Sequence, residues 1–224
     1  KKLDEQLNLY QESHNTLFVN EREAEYLKKG TYFPVAKDAI AKRSIVSLLE
    51  DVKYRRTDKR GLGVEKVKGL HSDFHILSTE KNEGDTFLLE DFKQATIGTI
   101  IAGRLKSSRL PKKAVLKIGD LTSIERCIQS CLSFSNTQYT VLATSTEDED
   151  AILKDFTYND DVVFFRGEPD DVIQRYLDVA EQLSIDVIIR VTADCPYVSS
   201  DIQEVLLKSH FETGADFSYT TNCD

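Results

Sequence analysis

The sequence predicts an α/β chain: a mostly parallel sheet with crossover helices in the second half, preceded by a small β-rich module. Three observations carry this. From residue 96 onward, apolar strand-like runs alternate strictly with helical patterns, the order that parallel sheets require. The first half lacks that alternation and holds short strand-like runs between Lys- and Gly-containing turns. The charge balance also steps near residue 96: residues 1–96 hold 17 Lys/Arg against 17 Asp/Glu, and residues 97–224 hold 12 against 21, the whole net charge of −9. The expected organisation is therefore a helical lead-in over 1–28, a β-rich module over 29–95 and an α/β domain over 96–224.

In the first half, residues 2–12 and 20–28 fit helices, the second with Asn20 as N-cap and Glu23 closing a capping box. TYFPVAK (31–37) alternates as a strand, and its Pro34 suits a sheet edge. SIVSLLEDV (44–52) and GDTFLLEDF (84–92) echo each other through LLED and an apolar residue. Two echoes do not make a solenoid, and they suit a pseudo-symmetric module with two similar turns.

In the second half the strands are TIGTIIA (96–102), YTVLA (139–143), VVFF (162–165), DVIIRV (186–191) and DFSY (216–219). Helical patterns fall at 121–134, 147–155, 169–183 and 200–211. Thr122 with Glu125, Ser200 with Gln203, and Pro169 with Asp170 and Asp171 mark helix starts. The strands lack polar alternation and read as buried on both faces. Ligands in such sheets sit beyond the carboxyl ends of the strands.

Composition excludes several classes. With 224 residues, 40% hydrophobic and 30% charged, and only 10 Gly and 4 Pro, a disordered tail or collagen-like chain is ruled out. Purely apolar runs reach four or five residues, too short for a bilayer span or a signal-peptide core, so a cytoplasmic protein with no membrane partner is expected. The acidic balance leaves nucleic acid out as a partner. Four cysteines without a C-x-x-C pair argue against a disulfide framework or a zinc site. There is no methionine, even at position 1, and the chain reads as a piece of a longer polypeptide.

The strongest local signal is GRLKSSRLPKK (103–113), directly after the strand over 96–102. Arg104, Lys106, Arg109, Lys112, Lys113 and Lys117 lie in an acid-free stretch of 14 residues inside an otherwise acidic domain. The stretch is neither a Walker loop nor G-x-G-x-x-G, so phosphates would be held by side chains. Arg104 and Arg109 can bind bidentately, Lys113 offers a point charge, and Ser107 and Ser108 add hydroxyl and backbone donors. The plain alternative is a solvated basic loop, against which its place after a buried strand argues.

IIAGRLKSSRLPKKAVL (100–116) resembles the N-terminal signature of the cytidylyltransferases that make CMP-activated acidic sugars, namely the spore-coat polysaccharide, CMP-KDO and CMP-acylneuraminate synthetase type. Arg104, Ser107, Arg109, Leu110, Pro111 and Lys113 match; Gly103 stands where the family usually has Ala, and Lys112 where it often has Gly. VLATSTEDEDAI (141–152), FRGEPDDVIQRY (165–176) and RVTADCPYV (190–198) follow in family order. The resemblance implies a Rossmann-like, GT-A-like nucleotidyltransferase that takes CTP, Mg²⁺ and an acidic keto-sugar, and releases pyrophosphate without a covalent enzyme intermediate. It implies catalytic roles on the triphosphate for Arg104, Arg109 and Lys113, cytosine reading by the backbone of Ala102, Gly103 and Arg104, and a metal-binding role for Asp194. The alternative for Asp194 is a turn residue before Cys195 and Pro196. The family's sheet continues past the matched blocks, so the C-terminal part of the domain is expected to be absent, with nucleotide binding but impaired turnover. The full-length protein is expected to be a homo-oligomer.

Arg166 follows the third strand and is a further nucleotide-binding candidate, whereas Asp170 and Asp171 serve either the site or a helix N-terminus. Asp148-Glu149-Asp150 satisfies the D-x-D of metal-dependent glycosyltransferases, the rival enzyme class, but it opens a helix after ATS (143–145), and acids at a helix start are the favoured explanation. Cys127 and Cys131 share an apolar face, Cys195 lacks a neighbouring histidine, and His71 and His75 lack a third ligand.

Residues 29–63 and 83–92 resemble the SAF (antifreeze-like, β-clip) domain that ends sialic acid synthases. Lys37-Asp38-Ala39-Ile40 and Arg55-Arg56 match, Thr57 replaces the usual Pro, and Arg43 lies where a turn Gly is usual. The resemblance makes Arg56 the candidate sugar contact, and an exposed strand-end arginine is its alternative. Together the two resemblances imply a SAF module fused to an enzyme that charges nonulosonic or related acids with CMP for surface polysaccharide. A non-catalytic sugar-acid-binding fragment is the third reading.

Overall fold

The computed structural model describes residues 20, 22, 26, 30–57, 59–106, 110–158 and 161–220. The expected helix over 2–12 and the capping residue Glu23 lie outside the described residues. Arg22, Tyr26 and Gly30 have helical backbone.

The first module is built from two antiparallel ribbons. Strand β1 (Tyr32–Ala36) pairs with β2 (Val52–Arg56), and β3 (His75–Leu77) pairs with β4 (Phe92–Gln94). In a two-stranded ribbon both strands are edges, so Pro34 leaves no ladder unpaired. Helix α1 (Val64–Ser72) runs between the ribbons in sequence, and Ala36, Val46, Val52, Leu70, Leu77, Phe87 and Phe92 form a common core. The sequence echo is a repeated device. Asp51 accepts from the Ser47 amide at 2.8 Å and Asp91 from the Leu88 amide at 2.7 Å, each closing a turn that opens into a strand. Asp91 also pairs with the buried Lys81 at 2.7 Å.

The α/β half holds a four-stranded parallel sheet in the order β10-β5-β8-β9, from β5 (Ile97–Ala102), β8 (Tyr139–Ser145), β9 (Val163–Gly167) and β10 (Val187–Thr192). A minimal hairpin, β6 (Lys117–Ile118) and β7 (Leu121–Thr122), precedes helix α2 (Ser123–Leu132). Helix α3 (Val172–Gln182) and helix α4 (Ser200–Thr213) complete the described elements. Helix α2 and the 3-10 segment Asp148–Phe156 cover one face around Ile101, Ile124, Cys127, Leu142 and Leu153; α3 covers the other around Ile100, Val141, Tyr176 and Val179. Among the described residues no helix is long and apolar enough to cross a membrane.

Several local expectations shift. Thr122 and Glu125 do form the capping box, the Glu125 carboxylate accepting from the Thr122 amide at 2.7 Å. The helix expected from Pro169 starts later, because Asp171 is the residue whose carboxylate accepts from an N3 amide, that of Gln174. At α4 the cap is Ser199, which accepts from Ile202, rather than Ser200. The segment after β8 is a 3-10 coil instead of an α-helix. Only β5 and β8 are buried on both faces; β9 and β10 are half-buried because they are the sheet's edges. Residues 216–219 form no strand. The Phe217 and Tyr219 rings stack on one another at 5.6 Å instead.

The halves meet at the amino end of the sheet. Phe74, Ile76, Ala95 and Ile97 pack with Leu207 and Phe211 of α4. Asp186, which leads into β10, accepts from Arg43 Nε at 2.8 Å, Lys93 Nζ at 2.7 Å and the Thr96 amide at 3.0 Å. Arg43 stands where a turn glycine was expected, and its φ of 73° is the left-handed conformation that glycine favours.

Candidate active site

Parallel pairing puts the carboxyl ends of all four strands on one edge, at Ala102, Ser145, Gly167 and Thr192. Successive strands add outward from β5 through β8 to β9, and the chain then returns to place β10 on the other side of β5. The crevice between the loops after β5 and β10 is thus the topological switch point where such sheets bind ligands.

Those two loops are in contact. Ala193 donates its amide to Ala102 O at 2.9 Å, and Gly103 donates to Ala143 O at 3.1 Å. A Cβ on Gly103 would meet the Ala193 Cβ at 3.1 Å, a tight approach that accounts for glycine here. Helix α2 supports the β10 loop from below, with Ser123 Oγ donating to Ala193 O at 3.3 Å and Cys127 Sγ lying 3.6 Å from Thr192 O. Across the top, Lys113 Nζ bonds the Asp194 carboxylate, joining the cationic loop to the one acid singled out for a metal. That bond, with the Thr192 hydroxyl and the Asp194 amide, holds the Asp194 carboxyl below the usual carboxylate range against a partial desolvation penalty. It is ionised at neutral pH and therefore a competent oxygen donor.

The cationic loop is pinned at Leu105. Its side chain is buried, its amide donates to Asp150 Oδ1 at 2.7 Å, and its carbonyl accepts from the Lys112 amide at 2.9 Å. Lys112 has φ 56°, which explains the glycine usual at that position in the resembling family. Arg104, Lys106 and Lys112 are exposed around this anchor, and Lys113 opens a short 3-10 turn whose Ala114 is buried. Ser107, Ser108 and Arg109 lie outside the described residues. The structure thus brings Ala102, Gly103, Lys113 and Asp194 together where the loops after β5 and β10 meet, with Arg104 exposed next to Gly103.

Arg166 reaches the same edge but is occupied with backbone. Its Nε donates to Ser145 O at 3.2 Å and its Nη2 to Thr146 O and Glu147 O at 2.6 and 3.0 Å. It braces the loop after β8. The D-x-D pattern separates: Asp148 is exposed, whereas Asp150 is buried with one oxygen on the Leu105 amide and the other bonded to Ser145 Oγ. Arg56 belongs to the β1–β2 ribbon, its guanidinium 5.2 Å above the exposed Tyr32 ring.

The cysteines and histidines fall outside this chemistry. Cys127 and Cys131 are buried, and the Cys131 thiol is pushed far up by its bond with Cys127 and by burial, so it is inert as a nucleophile. Cys195 is exposed beside Asp194, its sulfur 3.1 Å from Thr192 Oγ1. His71 is buried and its Nε2 has no partner among the described residues. No group of three or more His, Cys, Asp or Glu side chains among the described residues is arranged to hold a metal.

Sequence reasoning singled out Asp150 only as part of a D-x-D or a helix start, and missed Arg175. Arg175, in the first turn of α3, is 3% exposed; its stem packs on Gly167, and its Nε has no partner among the described residues. Burial lowers its pKa, partly offset by Tyr176, and the nearby Arg104 lowers it further. A residue this polar on a face that is otherwise apolar was the available signal.

Residues 99–223 match the family described as cytidylyltransferase. The chain belongs to that family. Over 127 residues it is 32% identical to the spore coat polysaccharide biosynthesis protein SpsF of Bacillus subtilis, covering 55% of this chain and 53% of that one. The chain spans about half the length of the curated relatives it matches. Among solved structures, a cytidylyltransferase from Leptospira borgpetersenii is 33% identical with a TM-score of 0.49, covering 52% of this chain and 49% of that one. A CMP:2-keto-3-deoxy-manno-octonic acid synthetase complexed with CTP is 21% identical with a TM-score of 0.47, covering 52% and 47%. The cytidylyltransferase match begins within β5 and takes in both loops of the crevice, while the β-rich module precedes it.

Proposed function

We propose that this cytidylyltransferase transfers CMP from CTP to a nonulosonic or related keto-sugar acid and releases pyrophosphate. The observation that carries the reading is the Lys113–Asp194 pair at the switch point, which sets a cation for phosphate beside an ionised carboxylate for metal. In this reading the anomeric hydroxyl oxygen forms a bond to the α-phosphorus, the bond to the bridging oxygen of pyrophosphate breaks, and the hydroxyl proton passes to solvent. Arg104, Arg109 and Lys113 take up the charge on the β- and γ-phosphates, with Ser107 and Ser108 as further donors. The backbone of Ala102, Gly103 and Arg104 faces the cytosine edge, and Arg166 keeps the neighbouring wall of the crevice in place.

The donor set fits Mg²⁺. That ion is held by one or two carboxylates with phosphate and water oxygens completing the shell, so Asp194 suffices from the described residues. When bound, the metal neutralises triphosphate charge and favours in-line displacement. Lys113 then exchanges Asp194 for phosphate. We read the first module as SAF-like, with Arg56 over Tyr32 as the sugar-acid contact, and the reaction as a step in surface polysaccharide synthesis.

Calorimetry with CTP, GTP and a UDP-sugar in the presence of Mg²⁺ tests the reading. Selective binding of CTP supports it, and tighter binding of the UDP-sugar overturns it in favour of glycosyl transfer. Pyrophosphate release with CTP and a panel of sialic and octulosonic acids then names the acceptor.

A further inference from the structure

Building on the nucleotidyl-transfer reading, we propose that Asp150 is the positioning residue that holds the two ends of the cationic loop, at Arg104–Leu105 and at Lys112–Lys113, in place for the nucleotide. The loop leaves β5 at Gly103, a 3-10 turn begins at Lys113, and Leu105 is hydrogen-bonded on both its amide and its carbonyl. The Asp150 carboxylate takes the Leu105 amide at 2.7 Å, and the Leu105 carbonyl takes the Lys112 amide at 2.9 Å. Arg104 precedes the first of these atoms by one residue, and Lys113 follows the last by one. Both phosphate-facing cations are therefore peptide-bonded to members of one chain that starts at Asp150.

The anchor itself is rigid. Asp150 is 1% exposed, and its other oxygen is bonded by Ser145 Oγ at the carboxyl end of β8, so the latch ties two strand ends together. Ser145 Oγ also accepts from the Glu147 amide at 3.2 Å, which aims the 3-10 coil that carries Asp150. The buried Arg175 lies within electrostatic range of both Asp150 and Arg104. A buried carboxylate spending both oxygens on an amide and a hydroxyl is placed to orient backbone.

Two substitutions in the full chain separate positioning from simple core packing. Asp150→Asn keeps an oxygen for the Leu105 amide and an amide donor for Ser145 Oγ, whereas Asp150→Ala removes both. Hydrogen exchange of the unliganded protein and calorimetric CTP affinity with Mg²⁺ are the readouts. Asp150→Ala should speed exchange of the Leu105, Lys106, Lys112 and Lys113 amides about tenfold, with protection in β5, β8 and α2 unchanged, and weaken CTP binding about tenfold. Asp150→Asn should stay within about threefold of the parent in both. Unchanged loop exchange, acceleration spread evenly over the domain, or an Asn variant as impaired as Ala would each overturn the proposal. If Asp150→Ala does not fold, Ser145→Ala serves instead, with local loop acceleration expected and none overturning the latch. Loop exchange needs no nucleotide, so a loosened loop in a protein that binds no CTP would uphold the latch while removing the nucleotide reading.

Discussion

Replacing Asp186 by alanine removes the carboxylate on which Arg43, Lys93 and the Thr96 amide converge at the amino end of the parallel sheet. The side chain is 1% exposed, while its partners Arg43 and Lys93 are 52% and 42% exposed. Burial alone would raise the Asp186 pKa; Lys93, the Thr96 amide and Arg43 outweigh it and hold the group ionised. In Asp186→Ala the two half-exposed cations rehydrate, so each loses no more than about 1 kcal/mol. The Thr96 amide is left without its acceptor, at about 1–3 kcal/mol. The expected loss is about 1–5 kcal/mol, which for a chain of this length lowers the melting temperature by about 2–4 °C for each kcal/mol. Because the folded pKa is depressed, the contribution is fully present above the unfolded value near pH 4 and disappears as pH falls through the folded value. Calorimetric melting at pH 7 and at pH 3 reads both effects. A shift under about 1 °C at pH 7, or an undiminished gap at the lower pH, would refute the reasoning.

Three further outcomes follow from the same geometry. Gly167→Ala puts a Cβ 2.5 Å from the Arg175 Cγ and 2.8 Å from the Phe165 ring, so chemical denaturation should show a loss of about 1–3 kcal/mol; an unchanged midpoint would contradict the packing. Burial lowers the pKa of both His71 and His210, so the protein should be most stable above pH 6.5 and lose stability as pH falls from there towards the depressed folded values; melting curves of the His71→Gln, His210→Gln double variant should be flatter over that window. Arg166→Ala frees the carbonyls of Ser145, Thr146 and Glu147, and should speed amide exchange over 146–149 while leaving α2 protected.

Local signals were legible in the sequence where a short-range rule decides them. The Thr122–Glu125 box and the loop after β5 depend on neighbours in sequence, and both are where their residues indicate. Positive-φ positions left a trace too, since Arg43 and Lys112 occupy left-handed turns where the resembling families use glycine. What stayed hidden depends on the sheet order. Val163–Gly167 and Val187–Thr192 are as apolar as the central strands, yet only their pairing makes them edges. Asp150 sits in an acidic run that reads as a helix start, and its partner Leu105 is 45 residues away across a crossover. Lys113 and Asp194 were each singled out for separate reasons, and their contact across 81 residues emerges only when β10 returns beside β5.

The most direct test of that juxtaposition is the Mg²⁺ dependence of CTP affinity in the parent protein and in Asp194→Asn, measured by titration calorimetry with and without EDTA. The account predicts that Mg²⁺ tightens CTP binding to the parent by about tenfold or more, and that Asp194→Asn binds metal-free CTP but gains little from the metal. An equal Mg²⁺ gain in both proteins would contradict it.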